Sequence, residues 1–493
     1  MSGPDQVKPS GLGRPEFVER HALWTRSQKD RVQWVRETIE REKIDSVRVV
    51  FGDQHGIARG KTLTTRNFLT AMERGHTIVS TVFAMDTTNH IVFPVFTADG
   101  GLPLAEAGGT GDLVMVPDPE TFRVLPWVQK TAWVLADLYL SDGAPVVIAP
   151  RHICRRVLSH LHEQGFESMT GLEVEFHIMK MDDARLRPEQ SGQPPDPPQV
   201  SMLAHGFQHL AELRIDEFQP ILETLRENLE GLGLPIRSLE TEWGPSQCEV
   251  TFEPGTGLGP ADDMLLFRTA VKQICRRHGC HASFMCWPAV PNLYASGWHL
   301  HQSLYSVATG ENAFVAGDSS RLLSDAGQHF VGGLLQHAGA ACVFSNPTIN
   351  GYKRLRPNSL APHLANWASE NRGAMIRVIG KAADPGTHLE NRIGEPAANP
   401  YLYLAANLVA GMSGINQRTD PGEPTTDPYA DTHRALLPRS LMEAVAALKA
   451  DALFREKMGT EFIDYIIALK QAEIDRFLSF VTDWEQREYF EVF

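Results

Sequence analysis

Hydrophobic positions along the chain follow two periods. After a polar start at Ser27 and Asp30, Val32, Val35 and Ile39 recur at helical spacing, which predicts a helix there. Residues 45–52, Asp45 followed by SVRVVF and Gly52, read as a strand, with Asp53-Gln-His-Gly56 as its turn. Strand-like runs follow near 78–84, 90–95 and 113–116. From about residue 148 the pattern changes. A helix over 150–165 leads to a strand over 171–179. Helices near 203–232 and 260–278 then alternate with strands near 245–253, 281–287 and 297–305. The polar, Pro-rich stretches 186–200 and 418–430 read as loops. Toward the C-terminus, Leu441, Val445 and Leu448, then Phe462, Tyr465, Ile466 and Leu469, keep helical spacing. No internal repeat is present. The mixture predicts an α+β fold: an N-terminal extension over 1–25, a small sheet-rich domain over 26–142, and a large domain over 143–493 built on an antiparallel sheet flanked by helices.

Composition narrows the function classes. A chain of 493 residues with 42% hydrophobic and 22% charged positions is that of an ordinary globular protein. A net charge of −14 argues against a nucleic-acid partner, since phosphate binding needs clustered Lys and Arg. The six cysteines are scattered, unlike a disulfide framework, and point to a reducing cytoplasm. Cys275, Cys280 and His281 lie at a predicted helix-to-strand junction without the second ligand pair that structural zinc wants. The opening MSGPDQVKPSGLGRP lacks the pattern of a signal peptide, and no apolar run reaches the roughly 18 residues of a membrane span.

Four short motifs carry candidate chemistry. In Gly171-Leu-Glu173-Val-Glu175-Phe176, strand alternation puts both carboxylates on one face, where two like charges call for something positive between them. In Glu242-Trp-Gly-Pro-Ser-Gln-Cys-Glu249, Gly244 and Pro245 turn the chain between two carboxylates. In Ser296-Gly297-Trp-His299-Leu-His301-Gln-Ser303, alternation aims both histidines at one face. Arg354, Arg372, Arg377 and Arg392, with Glu390 among them, supply forks for carboxylate or phosphate. Each carboxylate or arginine motif alone is more often a solvated surface or a salt-bridge residue, while the same-face histidine pair is as fair a metal or phosphate candidate as a structural one. Together they suit paired divalent cations holding a nucleotide, since Mg²⁺ and Mn²⁺ accept carboxylate oxygens and Mn²⁺ tolerates imidazole.

The order of these motifs, with NPTINGYKRL at 346–355 and PAANPYLYLAANLVAGMSGI at 396–415, resembles glutamine synthetase from about Asp45 to the C-terminus. The resemblance implies a β-grasp N-terminal domain and an ATP-dependent ligase that acts on glutamate, ATP and an amine. It implies two to three Mg²⁺ or Mn²⁺ ions, Glu175, Glu242 and Glu249 holding one and Glu173, His299 and Glu390 another. Arg354 and Arg392 match the arginines that bind glutamate, and Tyr294, Ala295, Gly297 and Leu360 fall at substrate-binding positions. Arg372 and Arg377 match those that face the phosphates, while His301 and Ser303 fall at the nucleotide. Asp53 matches an aspartate contributed to a neighbouring subunit's site in a homo-oligomer, a dodecamer of two stacked hexameric rings.

Departures from the family pattern bear on the amine. The flap acid that follows YKRL is here Leu360, an Asn-Gly pair is Tyr294-Ala295, and a lysine and an arginine before Glu390 are Pro385 and His388. Losing an anion and gaining apolar surface disfavours ammonium and suits a weakly basic, partly hydrophobic amine such as aniline. The chain thus resembles the γ-glutamylamide ligase branch, γ-glutamylanilide synthetase in particular. Ammonia, an alkylamine or a polyamine as acceptor, and a non-catalytic relative, are the alternatives.

Overall fold

The computed structural model describes residues 15–97, 101–104, 109–318 and 320–493. Two compact units emerge: residues 1–51, 59–80 and 111–146 form one, and residues 52–58, 81–110 and 147–493 the other. The expected extension over 1–25 lies outside the described residues up to 14, and a short helix, Phe17–Arg20, follows.

The smaller unit is built on β1 (Ser46–Gly52), β2 (Ala58–Thr64), β3 (His76–Val79), β4 (Asp112–Pro117), β5 (Arg123–Val124) and β6 (Thr131–Tyr139). Their order is β2-β1-β6-β4-β3, with β5 against β6. β1 runs parallel to β6, and β6 is buried at all nine positions, the continuous apolar run of a strand covered on both faces. A helix, Arg26–Arg41, buries Val35, Thr38 and Ile39, and another, Thr65–Arg74, buries Phe68, Ala71 and Met72. The first helix is capped by Thr25 rather than started at Ser27. The Thr25 hydroxyl accepts from the Gln28 N–H while the Gln28 side chain accepts from the Thr25 N–H, a reciprocal cap that outcompetes a single hydroxyl.

The strand expected near 78–84 is cut short at Val79, where β3 ends, and the one expected near 90–95 fails. Ser80–Ala84 is a 3₁₀ turn, and the 90–95 run forms only an isolated bridge between Met85 and Ile91. Pro94 in the second run removes a ladder donor.

The larger unit carries a ten-stranded sheet. Its strands are β7 (Phe166–Met181), β8 (Val200–Met202), β9 (Ile236–Thr241), β10 (Gln247–Phe252), β11 (Gly255–Thr256), β12 (Cys280–Ser283), β13 (Trp298–Ser306), β14 (Trp367–Ser369), β15 (Ile376–Ile379) and β16 (His388–Gly394). The main order is β14-β15-β16-β13-β7-β10-β9, with β8, β11 and β12 also pairing with β7. All these pairs are antiparallel except β14 with β15. The fold is α+β, as the sequence predicts.

Helices Pro150–Glu163, Glu212–Gly231, Gly259–Arg277 and Pro400–Gln417 belong to this unit. The last is buried at every position from Pro400 to Gly414, a helix apolar all round. Close crossing with the helix Asp325–Gln336 depends on glycine: a Cβ on Gly333 would stand 2.1 Å from the Ala410 carbonyl oxygen. Glu212–Gly231 begins later than expected, because Phe207 and Leu210 hold φ of 67° and 56°, outside any right-handed helix. Among the described residues no helix is long and apolar enough to cross a membrane.

Candidate active site

Strand register assembles the predicted side chains. On β7, Glu173 and Glu175 are two apart and share a face. β13 places His299 opposite Glu173, and β10 places Glu249 opposite Glu175. β16 sets Glu390 opposite His301, and β15 sets Arg377 opposite Glu390. Glu242 is the residue after β9. Five neighbouring strands therefore converge on one patch.

The distances are short. His299 Nδ1 lies 2.5 Å from Glu173 Oε1 and 3.6 Å from Glu390 Oε1, while its Nε2 lies 3.8 Å from Glu175 Oε1. His301 Nε2 stands 3.1 Å from Glu173 Oε2. Two overlapping groups, Glu173 with Glu249 and His299, and Glu173 with His301 and Glu390, each offer ligand atoms within 4.8 Å of one another. Carboxylates and imidazole at this spacing are a donor set for divalent cations.

The glutamine synthetase catalytic domain matches residues 147–489. This chain belongs to the glutamine synthetase family. It is 42% identical to a γ-glutamylanilide synthase of an Acinetobacter species, over 96% of this chain and 98% of that protein. It is 30% identical to a glutamine synthetase of Methanosarcina mazei, over 92% and 96%. Among solved structures, an ADP complex of GmaS matches with a TM-score of 0.76 at 27% identity, over 92% of this chain and 99% of that one. Membership makes the chain an ATP-dependent carbon–nitrogen ligase that works with ATP and divalent metal.

The electrostatics of this glutamine synthetase site fit cations. Burial, with repulsion from Glu173, Glu175 and Glu242, pushes Glu249 up to about 10. Burial, with Glu173 and Glu240 nearby, pushes Glu242 up to about 7. Burial raises Glu175 as well. Burial also acts on Glu173, but hydrogen bonds and charge from His299 and His301 outweigh it and hold that carboxyl well below the usual range. Clustered acids that repel one another in a buried place are stabilised when a cation sits among them.

Arginines close the other side. Arg354 is 4% exposed and donates to the carbonyls of Arg392 and Ile393 at 3.1 and 3.3 Å, with its Nη2 3.3 Å from His299 Nε2. Gly297 makes room for it: a Cβ there would meet Arg354 Nη2 at 2.5 Å and His299 Nε2 at 2.9 Å. Arg377 is held by Glu370 at 2.7 Å and Glu390 at 3.1 Å, and Arg392 contacts Glu390. The Nε atoms of Arg377 and Arg392 are buried with no acceptor. Ser303 lies with His301, Glu173, Arg237 and Glu240 along a cavity of about 540 Å³.

Not every predicted residue joins this cluster. Arg372 is exposed, with Glu370 as its charged neighbour. The Asp53 carboxylate accepts from the N–H groups of His55 and Ile57, both at 2.9 Å, and its carbonyl accepts from Asn399 Nδ2. Tyr294 is 44% exposed against Phe207, and the Ala295 carbonyl accepts from Gln247 Nε2 at 3.3 Å. Leu360 is 55% exposed with φ of 59°, on a loop tied down by Ser359, whose hydroxyl donates to the Arg354 carbonyl at 2.9 Å.

Sequence reading missed three contributors and met a fourth, His388, only as a departure from the family pattern. Glu240 faces Glu249 in the β9–β10 register, and Glu370 holds Arg377. Gln247 Nε2 donates to Glu175 Oε2 at 3.3 Å and to Ser296 Oγ at 3.0 Å. His388 Nε2 lies 3.1 Å from His301 Nδ1. Alternation along Glu240 and Glu242 was the available signal for the first; the others depend on strand pairing.

Proposed function

We propose that this ligase joins the γ-carboxyl of L-glutamate to a hydrophobic or aromatic amine, aniline-like, giving a γ-glutamylamide, ADP and phosphate. Glu175, Glu242 and Glu249 hold one divalent ion, and Glu173, His299 and Glu390 a second, with room in the donor set for two to three ions. Bound there, such ions supply positive charge that offsets the phosphates. His301 and Ser303 line the nucleotide, and Arg372 and Arg377 face its phosphates, where preorganised donors stabilise the charge of phosphoryl transfer. Arg354 and Arg392, with Gly297, Tyr294 and Ala295 nearby, bind glutamate as forks for carboxylate.

The γ-carboxylate oxygen attacks the terminal phosphorus of ATP and ADP leaves. The amine nitrogen then attacks the acyl carbon of γ-glutamyl phosphate, phosphate leaves, and the nitrogen loses a proton. Asp53, the match for the family's amine-receiving aspartate, serves the site of a neighbouring subunit in a cytoplasmic homododecamer of stacked rings, with Asp53 or a water taking the proton.

Leu360 carries the choice of amine. An exposed apolar side chain stands on the loop anchored to Arg354, where the family pattern has an acid. Such a mouth lacks the anion that favours ammonium and offers surface to an uncharged ring. The likeness to a γ-glutamylanilide synthase supports the same choice. The test is product analysis. With ATP, Mg²⁺, glutamate and aniline, γ-glutamylanilide, ADP and phosphate should form in equal amounts; absence of the anilide alongside glutamine formation from ammonia would overturn it.

A further inference from the structure

Four rings crowd one edge of the acidic cluster. Trp243 follows Glu242 directly, and its backbone N–H donates to Glu242 Oε2 at 3.2 Å. The His209 imidazole stacks on the Trp243 indole, centroids 5.0 Å apart and planes within 7°. Phe207 N–H donates to the Trp243 carbonyl at 2.7 Å. Its ring meets Tyr294 edge-on at 5.8 Å. Tyr294 precedes Ala295, whose carbonyl Gln247 ties to Glu175. The chain segments that carry the rings thus link, through backbone groups, to Glu242 on one side and, by way of Gln247, to Glu175 on the other.

These rings are unusually open. Phe207, Trp243 and Tyr294 are 55%, 42% and 44% exposed. Phe207 is presented by a left-handed backbone, φ 67°, which a bulky residue adopts only when its surroundings impose it. Gly206 and Gly244 bring the two chain segments together: a Cβ on Gly206 would stand 2.4 Å from Pro245 N, and one on Gly244 would stand 3.2 Å from Tyr294 N. The packing therefore fixes the ring positions while leaving their surfaces uncovered.

We infer that Phe207, His209, Trp243 and Tyr294 form the seat for the ring of an arylamine acceptor, so that aromatic contact rather than charge selects the amine. The inference rests on the ligase reading above and adds the side chains that set acceptor class. Ring faces and edges stack on one another with little ordering cost, and a weakly basic arylamine needs no anion to hold it. A seat adjoining Glu242 keeps the amine nitrogen beside the carboxylate cluster, where the acyl phosphate forms.

The experiment measures KM for aniline, methylamine and glutamate with Trp243→Ala, Trp243→Leu, Trp243→Phe and Phe207→Ala in the full chain. Trp243→Leu keeps apolar volume without a ring and guards against a folding failure of the alanine variant. Trp243→Ala, Trp243→Leu and Phe207→Ala should each raise KM for aniline about tenfold, more than KM for glutamate, and lower the aniline-to-methylamine ratio of kcat/KM. Trp243→Phe should restore most of the loss. An unchanged KM for aniline in the ring-deleting variants overturns the seat. So does a change of oligomer mass in place of a change in KM, which would make these rings a subunit contact. Wild-type protein that is inactive with every arylamine but active with ammonia or methylamine would instead overturn the choice of an aromatic amine under the proposed function.

Discussion

His299 and Glu173 face each other across the β13–β7 pair, with Nδ1 of the imidazole 2.5 Å from Oε1 of the carboxylate. The opposite edge of the same ring lies 3.3 Å from Arg354 Nη2. One imidazole therefore spans the acidic cluster and an arginine assigned to glutamate. Replacing His299 by Ala should lower kcat/KM for glutamate about 100–1000-fold, the scale of losing a preorganised electrostatic group. It should also weaken Mg²⁺ binding, read by titration of the protein with Mg²⁺ or Mn²⁺. Wild-type metal affinity in that variant would remove His299 from the ligand set.

Metal-free protein should lose stability as pH rises. An ordinary glutamate carboxyl ionises near 4.5, whereas folded Glu242 is pushed up to about 7 and Glu249 up to about 10. Above the unfolded value the folded state binds more protons than the unfolded one, so stability falls as pH climbs through the folded values. With a chelator, Tm should drop between pH 5 and pH 8, and Mg²⁺ should raise Tm more at pH 8 than at pH 6. Glu249→Gln should stabilise the chelated protein at pH 8, because glutamine is neutral without the proton that buried Glu249 must take up on folding. It should at the same time abolish most activity. A flat Tm profile with chelator would contradict the buried-acid picture.

Gly297→Ala tests the packing around Arg354. The added Cβ falls 2.5 Å from Arg354 Nη2, so the guanidinium must move. A displacement near 1 Å at a positioning group can cost about 100-fold in rate. The loss should show as reduced kcat/KM for glutamate, with circular dichroism close to wild type. Full activity in this variant would mean Arg354 does not need its observed place.

Much of this site was legible because it lies in short strands. Glu173 with Glu175 and His299 with His301 are two apart, and period-2 alternation fixes their common face before any fold is known. The runs that became β7, β10 and β13 were readable for the same reason. β6 was not, because a strand buried on both faces gives no alternation to read. Glu370 and Gln247 were missed because their roles arise from pairing between distant segments. The contact of Phe207 with Trp243 is likewise a backbone hydrogen bond between two loops, invisible to periodicity. Asp53 was identified only through family resemblance; its place in this chain is a turn beside His55 and Asn399.

Leu360→Glu should shift acceptor preference toward cationic amines. The position is 55% exposed, so the new carboxylate would act through solvent-screened attraction worth about 1 kcal/mol, roughly a fivefold change in relative kcat/KM. Ammonia and methylamine should gain on aniline, as read from rates with each amine at fixed glutamate and ATP. Unchanged selectivity would mean that Leu360 does not face the amine.

The most direct measurement is phosphate release from ATP by the wild-type protein with glutamate, Mg²⁺ and one amine at a time: aniline, ammonia, methylamine or putrescine. Aniline should give the highest kcat/KM, and chelation should abolish release with every amine. Ammonia as the best acceptor, or release that persists with the metal removed, would contradict an arylamine ligase built on the Glu173–His299 cluster.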